Sequence, residues 1–231
     1  MYQASDPETI QSLFKSIATK YDRANAIFSF GLHRTWNRRL IESMRGKRQL
    51  LDLCAGTGEI GVGFLRENPH AEAWLLDFCP EMLEVARWKG GPFQERMTLM
   101  VADAQKIPLE RERVEGVTIA YGIRNIQRPR SCFQEVYRVL KRGGKLGILE
   151  LTRPHSAFLR LSHGIYLKGV LPLLGKLMTN NGDAYKYLAS SIQAFVSPEE
   201  VGRELLGTGF SQVEICPLFG GIATLILADK S

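Results

Sequence analysis

A glycine-rich segment carries the clearest chemical signal in this chain. Gly56-Thr57-Gly58-Glu59-Ile60-Gly61 fits the pattern G-x-G-x-x-G, follows a short apolar run and opens a helical pattern. Glycines in that context let the backbone approach a ligand at a strand-to-helix crossover. The spacing therefore predicts a nucleoside-containing ligand, and by itself it does not separate a dinucleotide from S-adenosylmethionine.

Three acidic residues near this loop favour S-adenosylmethionine. Asp52 precedes the loop, where a carboxylate would repel a pyrophosphate and attract a sulfonium and an amino group, although it could instead be a structural or helix-capping acid. Asp77 ends the next apolar run and can accept both hydroxyls of a ribose, a feature that dehydrogenases share. Asp103 follows the third run and could hold the adenine amino group, with a simple turn aspartate as the alternative.

These residues need a sheet to bring them together, and the rest of the chain predicts one. Short apolar runs typical of strands alternate with helical stretches, which favours an α/β, Rossmann-like fold with a mostly parallel sheet. The predicted strands are Leu50–Leu53, Ala73–Leu76, Leu99–Val101, Val117–Ala120 and Leu146–Leu149, and the predicted helices are Ile60–Glu67, Glu81–Lys89 and Ser131–Leu140. Gly143-Gly144 is interpreted as a turn before the fifth strand.

Helical segments flank this alternating core. Residues 1–46 predict an N-terminal helical cap, with Asp6-Pro7 opening its first helix, a break at Gly31 and a second helix from Trp36. Residues 157–194 interrupt the alternation and predict a mostly helical insertion.

The C-terminal part predicts a hairpin. Ser197-Pro198-Glu199-Glu200 is a capping box whose helix should end at Gly207 or Gly209. The runs Val213–Cys216 and Ile222–Ala228 are close enough to pair antiparallel, whereas a doubly wound dehydrogenase continues with parallel strands. We interpret residues 1–231 as a single domain with about seven strands and S-adenosylmethionine as its ligand.

Composition is that of an ordinary globular protein. The chain has 231 residues, of which 45% are hydrophobic and 23% charged, with a net charge of +6. The four cysteines are scattered, so neither a zinc site nor a disulfide framework is expected, and no metal site is predicted. With no signal peptide or membrane-spanning stretch, the expected location is the cytoplasm. The positive charge is compatible with an anionic partner or simply with a solvated surface.

Several motifs resemble those of the quinone C-methyltransferases of menaquinone and ubiquinone synthesis (the UbiE/MenG type). The resemblance runs from about Phe14 to Ala228, and the Gly-Ile-Arg-Asn and Tyr-x-Tyr-Leu-x-x-Ser-Ile blocks are the most particular to that family. The motifs are Lys20–Asn25, Ser29–Trp36, Tyr121–Asn125, Tyr137–Gly144 and Tyr185–Ile192.

The resemblance implies a class I S-adenosylmethionine-dependent methyltransferase that methylates a ring carbon of a reduced polyprenyl quinone, with demethylmenaquinol as the expected substrate. It implies that Thr57, Asp77, Asp103 and Ala104 contact the methyl donor; Gly56 and Gly58 are expected there from the glycine motif itself. Ala120 stands where the family often has a serine that touches the donor. Cys54-Ala55, Glu59, Asp103 and Ala24 depart from the usual family residues.

Carbon methylation requires an ionised quinol, and the candidates for promoting ionisation lie outside the glycine loop. Arg124 is the first candidate for a fixed positive charge beside the phenolate; its structural alternative is a salt bridge to a neighbouring helix. Asn125 beside it could donate a hydrogen bond. Tyr21 and His33 in the cap are candidate bases; Tyr21 could instead be an aromatic of the cap core, and His33 could be structural. Asp22 and His163 are weaker candidates, and no residue is an unambiguous base.

The insertion adds a hypothesis about lipid. Its leucine-rich stretch 157–178 could be a helix packed on the domain, or a lid whose apolar side accepts a polyprenyl tail and whose basic side meets an anionic membrane surface. That reading places the protein peripherally at the inner face of the membrane. A homodimer is compatible with the sequence.

Three other functions remain open. They are methylation of 2-methoxy-6-polyprenyl-1,4-benzoquinol for ubiquinone, methylation of another lipid-like molecule, and nucleotide binding without catalysis. Nucleic-acid binding is disfavoured because aromatic and basic residues do not interleave as a base-stacking surface needs.

Overall fold

The computed structural model describes residues 6–154, 156–170 and 182–231, and its centre is a seven-stranded sheet. The strands are β1 Gln49–Leu53, β2 Glu72–Asp77, β3 Met97–Val101, β4 Val114–Ala120, β5 Leu140–Leu151, β6 Gln212–Leu218 and β7 Ala223–Asp229. Their order is β3-β2-β1-β4-β5-β7-β6. The pairs among β1 to β5 are parallel, and β7 runs antiparallel to both β5 and β6. The predicted fold class, including the C-terminal hairpin, is confirmed.

Nine α-helices are assigned in the described ranges. They are α1 Pro7–Ile17, α2 Tyr21–Phe28, α3 Leu32–Ser43, α4 Glu59–Glu67, α5 Pro80–Lys89, α6 Pro129–Val139, α7 Ala157–Ile165, α8 Gly182–Ala194 and α9 Pro198–Thr208. Local chemistry sets several ends: Asp6 caps α1, and Ser197 and Glu200 form both bonds of the predicted capping box. Helix α9 ends at Gly209, whose φ of 119° suits glycine best.

Both faces of the sheet are covered, as its parallel strands require. Alternate residues of β1 face opposite sides: Leu51 and Leu53 join the cluster under α6 and α9, and Leu50 joins the cluster under α3, α4 and α5. Because β1 to β5 are parallel, their carboxyl ends meet at one edge of the sheet, where the loops that follow them can share a ligand.

The segment before β5 differs from the prediction. Gly143-Gly144 is a bulge inside an extended β5, not a turn before a short one, and α6 ends at Val139. Lys230 explains the difference: its backbone pairs with both glycines, and its buried Nζ donates to the carbonyl of Leu140 at 2.6 Å. That contact comes from the far end of the chain, which local patterning does not report.

The cap and the insertion lie over the carboxyl edge of the sheet. Helices α1 to α3 form the described part of the N-terminal cap, and α3 begins at Leu32, directly after Gly31, rather than at Trp36. The described part of the insertion contains α7, a short π-helical turn at Tyr166–Val170 and α8. Residues 171–181 of the predicted insertion lie outside the described ranges.

Candidate active site

The glycine loop between β1 and α4 has one open glycine and one packed glycine. Gly56 has a φ of 53°, and a Cβ placed there would meet nothing within 4 Å. Gly58 has a φ of 79°, and its Cβ would lie 2.9 Å from that of Ala86 in α5. Gly58 therefore permits close packing of the loop, while Gly56 leaves open backbone that a ligand can approach.

Asp77 ends β2 beside this loop. Its Oδ2 accepts a hydrogen bond from the Gly56 N–H at 2.8 Å, and its Oδ1 accepts one from the Cys79 N–H at 2.9 Å. The side chain is buried, and burial raises its pKa, which these backbone hydrogen bonds oppose. A carboxylate in this position, with lone pairs left over, suits a ribose diol.

Asp52 is turned into the protein. Its Oδ1 accepts from the Thr118 hydroxyl at 2.8 Å, its Oδ2 accepts from the Gly61 N–H at 3.0 Å, and the residue is 1% exposed. Both oxygens thus tie β1 to β4 and to α4. The geometry favours the structural acid that the sequence left open as an alternative, and direct contact with a cationic ligand stays a prediction.

Replacing Asp52 with asparagine should stabilise the ligand-free protein more at alkaline than at acidic pH. Burial raises the pKa of Asp52 to about 7, so the native state holds a proton that the unfolded chain releases near its usual pKa of about 3.9. Stability from this group therefore falls as pH rises between these values, and the asparagine variant should gain about 2 kcal/mol relative to wild type between about pH 5 and 8. Thermal unfolding at the two pH values measures this, and an equal shift at both would contradict it.

The remaining residues expected at the donor site lie along the same edge. Asp103 is exposed, and its Oδ1 accepts from the Gln105 N–H at 2.8 Å, as a turn aspartate does. Ala104 is buried beneath it, and Ala120 is the last residue of β4. Their positions leave Asp103 accessible to a ligand held at the ends of β2 and β3.

The cap is bonded directly to the glycine loop. The Thr57 hydroxyl donates to Asp22 of α2 at 2.5 Å, and Lys89 at the end of α5 pairs with Asp22 and donates to the Thr57 oxygen at 3.0 Å. Gln11 of α1 also donates to the Phe78 carbonyl at 2.8 Å, next to Asp77. The weak base candidate Asp22 is therefore engaged in holding the cap over the loop.

A cavity of about 370 Å³ lies between the cap, the insertion and the ends of β4 and β5. Most of its lining is apolar, and its polar lining residues include Tyr21, His33, Tyr121, Arg124 and His163. Tyr21 lines the cavity while the adjacent Asp22 bonds Thr57, so α2 forms a wall shared by the cavity and the glycine loop.

Arg124 lies at the cavity wall in the 3₁₀ turn Ile123–Asn125 after β4, and it is 3% exposed. Its Nη1 is paired with Oε1 of Glu150 in β5, which is fully buried. Burial alone would lower the pKa of Arg124, but the charge of Glu150 raises it, so the guanidinium is cationic. The sequence left open a salt bridge from Arg124 to a neighbouring helix; the structure has an ion pair with Glu150 on the strand β5 instead.

The other candidates have distinct roles in this geometry. Asn125 accepts from the Tyr187 hydroxyl at 2.9 Å, which joins the Gly-Ile-Arg-Asn turn to α8. Burial raises the pKa of Tyr21, so it is a protonated hydrogen-bond donor rather than a phenolate base.

His33 keeps the properties of a possible base. The Ser29 hydroxyl donates to the Asn25 carbonyl at 2.7 Å, so the 2.8 Å contact of Nδ1 with Ser29 requires Nδ1–H to donate. Nε2 then carries the lone pair. Burial lowers the pKa of His33, and burial likewise lowers that of His163, so both are neutral near pH 7.

Sequence reasoning gave no role to three residues of the site, although Tyr121 belongs to the quoted motif Tyr121–Asn125. Glu150 was marked only by a charge directly after the apolar run of β5, which is a usable signal on a buried strand. Tyr121 has a φ of 56°, lines the cavity and donates to Asn37 of α3 at 2.9 Å, and Lys89 reaches the loop from the end of α5. Across the described ranges, no group of three or more His, Cys, Asp or Glu residues is arranged to hold a metal ion.

Comparison with known proteins adds to this geometry. The ubiE/COQ5 methyltransferase family matches residues 2–230. A demethylmenaquinone methyltransferase from Protochlamydia amoebophila is 45% identical over 236 aligned positions, covering 99% of this chain and 98% of that protein. A ubiquinone/menaquinone biosynthesis C-methyltransferase UbiE from Dinoroseobacter shibae is 36% identical, covering 94% and 88%. The crystal structure of a SAM-dependent methyltransferase, possible histamine N-methyltransferase, from Thermotoga maritima has a TM-score of 0.66 at 16% identity, covering 95% and 99%, which shows the shared fold.

Proposed function

This chain belongs to the ubiE/COQ5 methyltransferase family, and we propose that it transfers the methyl group of S-adenosyl-L-methionine to a ring carbon of a reduced polyprenyl quinone. The observation that carries the proposal is the largely apolar cavity beside the glycine loop, with the buried cation Arg124 at its wall. Its volume of about 370 Å³ is within the range of small-molecule sites. A charged or highly polar acceptor would find few partners there.

The residues at the carboxyl edge fit the methyl donor. Gly56 offers open backbone, Asp77 offers a carboxylate for the ribose, and Asp103 lies at the end of the adjacent strand β3, where the adenine amino group would be held. Thr57, Gly58, Ala104 and Ala120 complete the proposed set. When bound, the donor supplies an electrophilic methyl group on a sulfonium.

The acceptor must supply electrons from carbon. A quinol hydroxyl first loses a proton, and the phenolate directs electron density to the ring carbon. That carbon bonds the methyl carbon while the S–C bond breaks, with its electron pair staying on sulfur. The ring carbon then loses its hydrogen as a proton and the oxygen regains one, which restores the quinol and leaves one proton in solution.

Ionisation is the step that the protein can assist most. A phenol with a pKa of about 10 costs roughly 4 kcal/mol to ionise at pH 7. A fixed cation in a site of low polarity stabilises the phenolate, and Arg124 is our candidate for that cation. Tyr21 can donate a hydrogen bond to the quinol oxygen, and His33 can accept the proton.

The substrate we favour is demethylmenaquinol, because relatives of this length and similarity are demethylmenaquinone methyltransferases. The benzoquinol precursor of ubiquinone is the second candidate, since the Dinoroseobacter shibae relative is assigned to both pathways. Quinone analysis of cells lacking the gene tests the proposal. A demethylated naphthoquinone should accumulate, an unmethylated benzoquinone would move the assignment to the second candidate, and an unchanged profile would reject both.

We extend the proposal to a peripheral contact with the inner face of the membrane. No helix in the described part of the chain is long and apolar enough to cross a bilayer. Phe158, Leu161 and Ile165 of α7 are 77%, 67% and 63% exposed and lie three and four residues apart, so they share one helix face. Phe30 and Phe219, at the cavity, are also exposed. These side chains could enter a lipid surface beside the cavity that receives the prenyl quinol.

Vesicle co-sedimentation tests this contact. We expect wild-type protein to bind vesicles containing anionic lipid about 30-fold more tightly than the double variant Leu161→Ser and Ile165→Ser, since each removed side chain contributes about 1 kcal/mol of partial burial. Leu206→Ser in α9, an exposed leucine remote in sequence from the insertion, is the matched control. Equally weak binding of wild type to neutral and anionic vesicles would reject the contact.

A further inference from the structure

The buried pair Arg124–Glu150 has features that packing alone does not require. Oε1 of Glu150 accepts from Arg124 Nη1 and from the Leu151 N–H at 2.8 Å, and Oε2 lies 3.4 Å from the Arg124 backbone N–H. Glu150 is 0% exposed. A buried ion pair is costly to desolvate, and apolar residues of similar volume often stabilise a fold as well or better.

The pair also leaves a donor unused. Arg124 Nε is buried and has no hydrogen-bond partner within the described ranges, although the same side chain lines the cavity. An unpaired buried N–H is unfavourable unless a ligand or water completes it. Glu150 thus engages one end of the guanidinium, while the Arg124 side chain also lines the cavity.

We propose that Glu150 is a positioning residue for the reaction, holding Arg124 so that its guanidinium meets the oxygen of the bound quinol. The proposal rests on the proposed quinol methylation. Glu150 suits this role because it lies within the sheet, where β5 pairs with β7 on one side and with β4 on the other. A carboxylate on that rigid strand fixes the arginine of the short 3₁₀ turn to within the tolerance that catalysis needs.

Two variants distinguish the contribution of the length of the Glu150 side chain from that of its negative charge. Glu150→Asp keeps the charge but shortens the side chain, so Arg124 shifts; we expect kcat to fall about 10- to 100-fold with KM for the quinol nearly unchanged. Glu150→Gln keeps the reach and an oxygen for Nη1, so most of kcat at high pH should remain. Loss of the negative charge should move the acid limb of the kcat profile to lower pH by about one unit, because the phenolate is no longer repelled.

Other ionisable groups face the same cavity and are common to wild type and variants. They are Tyr21 from α2, His33 from α3, Tyr121 after β4, His163 from α7 and Tyr187 from α8. Glu135→Asp and Glu135→Gln are the matched controls, since they disturb an arginine pair with Arg138 inside α6. Their kcat profiles should match wild type.

A second readout separates this proposal from the proposed function. The pKa of 1-naphthol bound to the donor-free protein, followed by phenolate absorbance, should fall in Glu150→Gln and rise in Arg124→Gln. If wild type fails to methylate a quinol, the proposed function is wrong, and the naphthol shifts still test how Glu150 and Arg124 act on a bound phenol. The positioning role would be overturned if both Glu150 variants fold and their kinetic profiles match that of wild type. It would also be overturned if the pKa of bound 1-naphthol does not change in the variants.

Discussion

Replacing Arg124 with glutamine should lower kcat for quinol methylation by about 10²- to 10³-fold while changing the affinity for the methyl donor by no more than about threefold. The large effect is expected because the cation acts where negative charge develops, in a cavity whose lining is mostly apolar. Donor affinity should be spared, since the glycine loop, Asp77 and Asp103 make no hydrogen bond with Arg124 in the described structure.

The single variant also leaves Glu150 buried without its partner, which destabilises a protein by about 3–5 kcal/mol. The double variant Arg124→Gln and Glu150→Gln is the control, because it removes both charges and leaves no isolated carboxylate. We expect the double variant to recover much of the lost thermal stability and none of the lost kcat. Recovery of kcat together with stability would show that the pair serves folding alone.

Replacing Asp77 with asparagine should weaken binding of the methyl donor by about 100-fold, which corresponds to losing charged hydrogen bonds worth about 1.5–3 kcal/mol each. Both oxygens of Asp77 now accept from backbone N–H groups, so an amide would also place a donor against a donor at Gly56 or Cys79. Calorimetric titration with S-adenosylmethionine at about pH 8, well above the usual aspartate pKa of about 3.9, measures the change.

Glu72→Gln is the matched control for Asp77, because Glu72 begins the same strand and lies at the opposite edge of the sheet. Its side chain accepts from Gln49 at 2.8 Å and is paired with Arg113, away from the glycine loop. The control should bind the donor as wild type does. Equal affinities for wild type and Asp77→Asn would remove Asp77 from the donor site.

The parts of the fold that sequence predicted well are those determined locally. The G-x-G-x-x-G spacing, the capping box at Ser197 and the alternation of strands and helices depend on neighbours within a few residues, and the structure contains all three. The bulge at Gly143-Gly144 depends on Lys230, which is distant in sequence, so the short fifth strand and its preceding turn were wrong.

The site shows the same division between local and distant determinants. Arg124 was identified from its motif, but its buried partner Glu150 lies on a different strand 26 residues away. The position of Asp52 before the glycine loop suggested a contact with the methyl donor. Its oxygens instead accept hydrogen bonds from Thr118 and Gly61, which only the packing of β4 and α4 against β1 reveals. An acidic residue within an apolar run, as Asp52 is, or directly after one, as Glu150 is, is the sequence signal for both buried acids.

The most direct test of the central claim is methyl transfer by the purified protein. It would be incubated anaerobically with S-adenosylmethionine bearing a deuterated methyl group and with a reduced, demethylated short-chain naphthoquinone, and the quinones would be analysed by mass spectrometry. We predict one deuterated methyl group on the ring carbon, with no product when the quinone is left oxidised. No transfer to the quinol, or transfer to its oxygen instead of its carbon, would contradict the account.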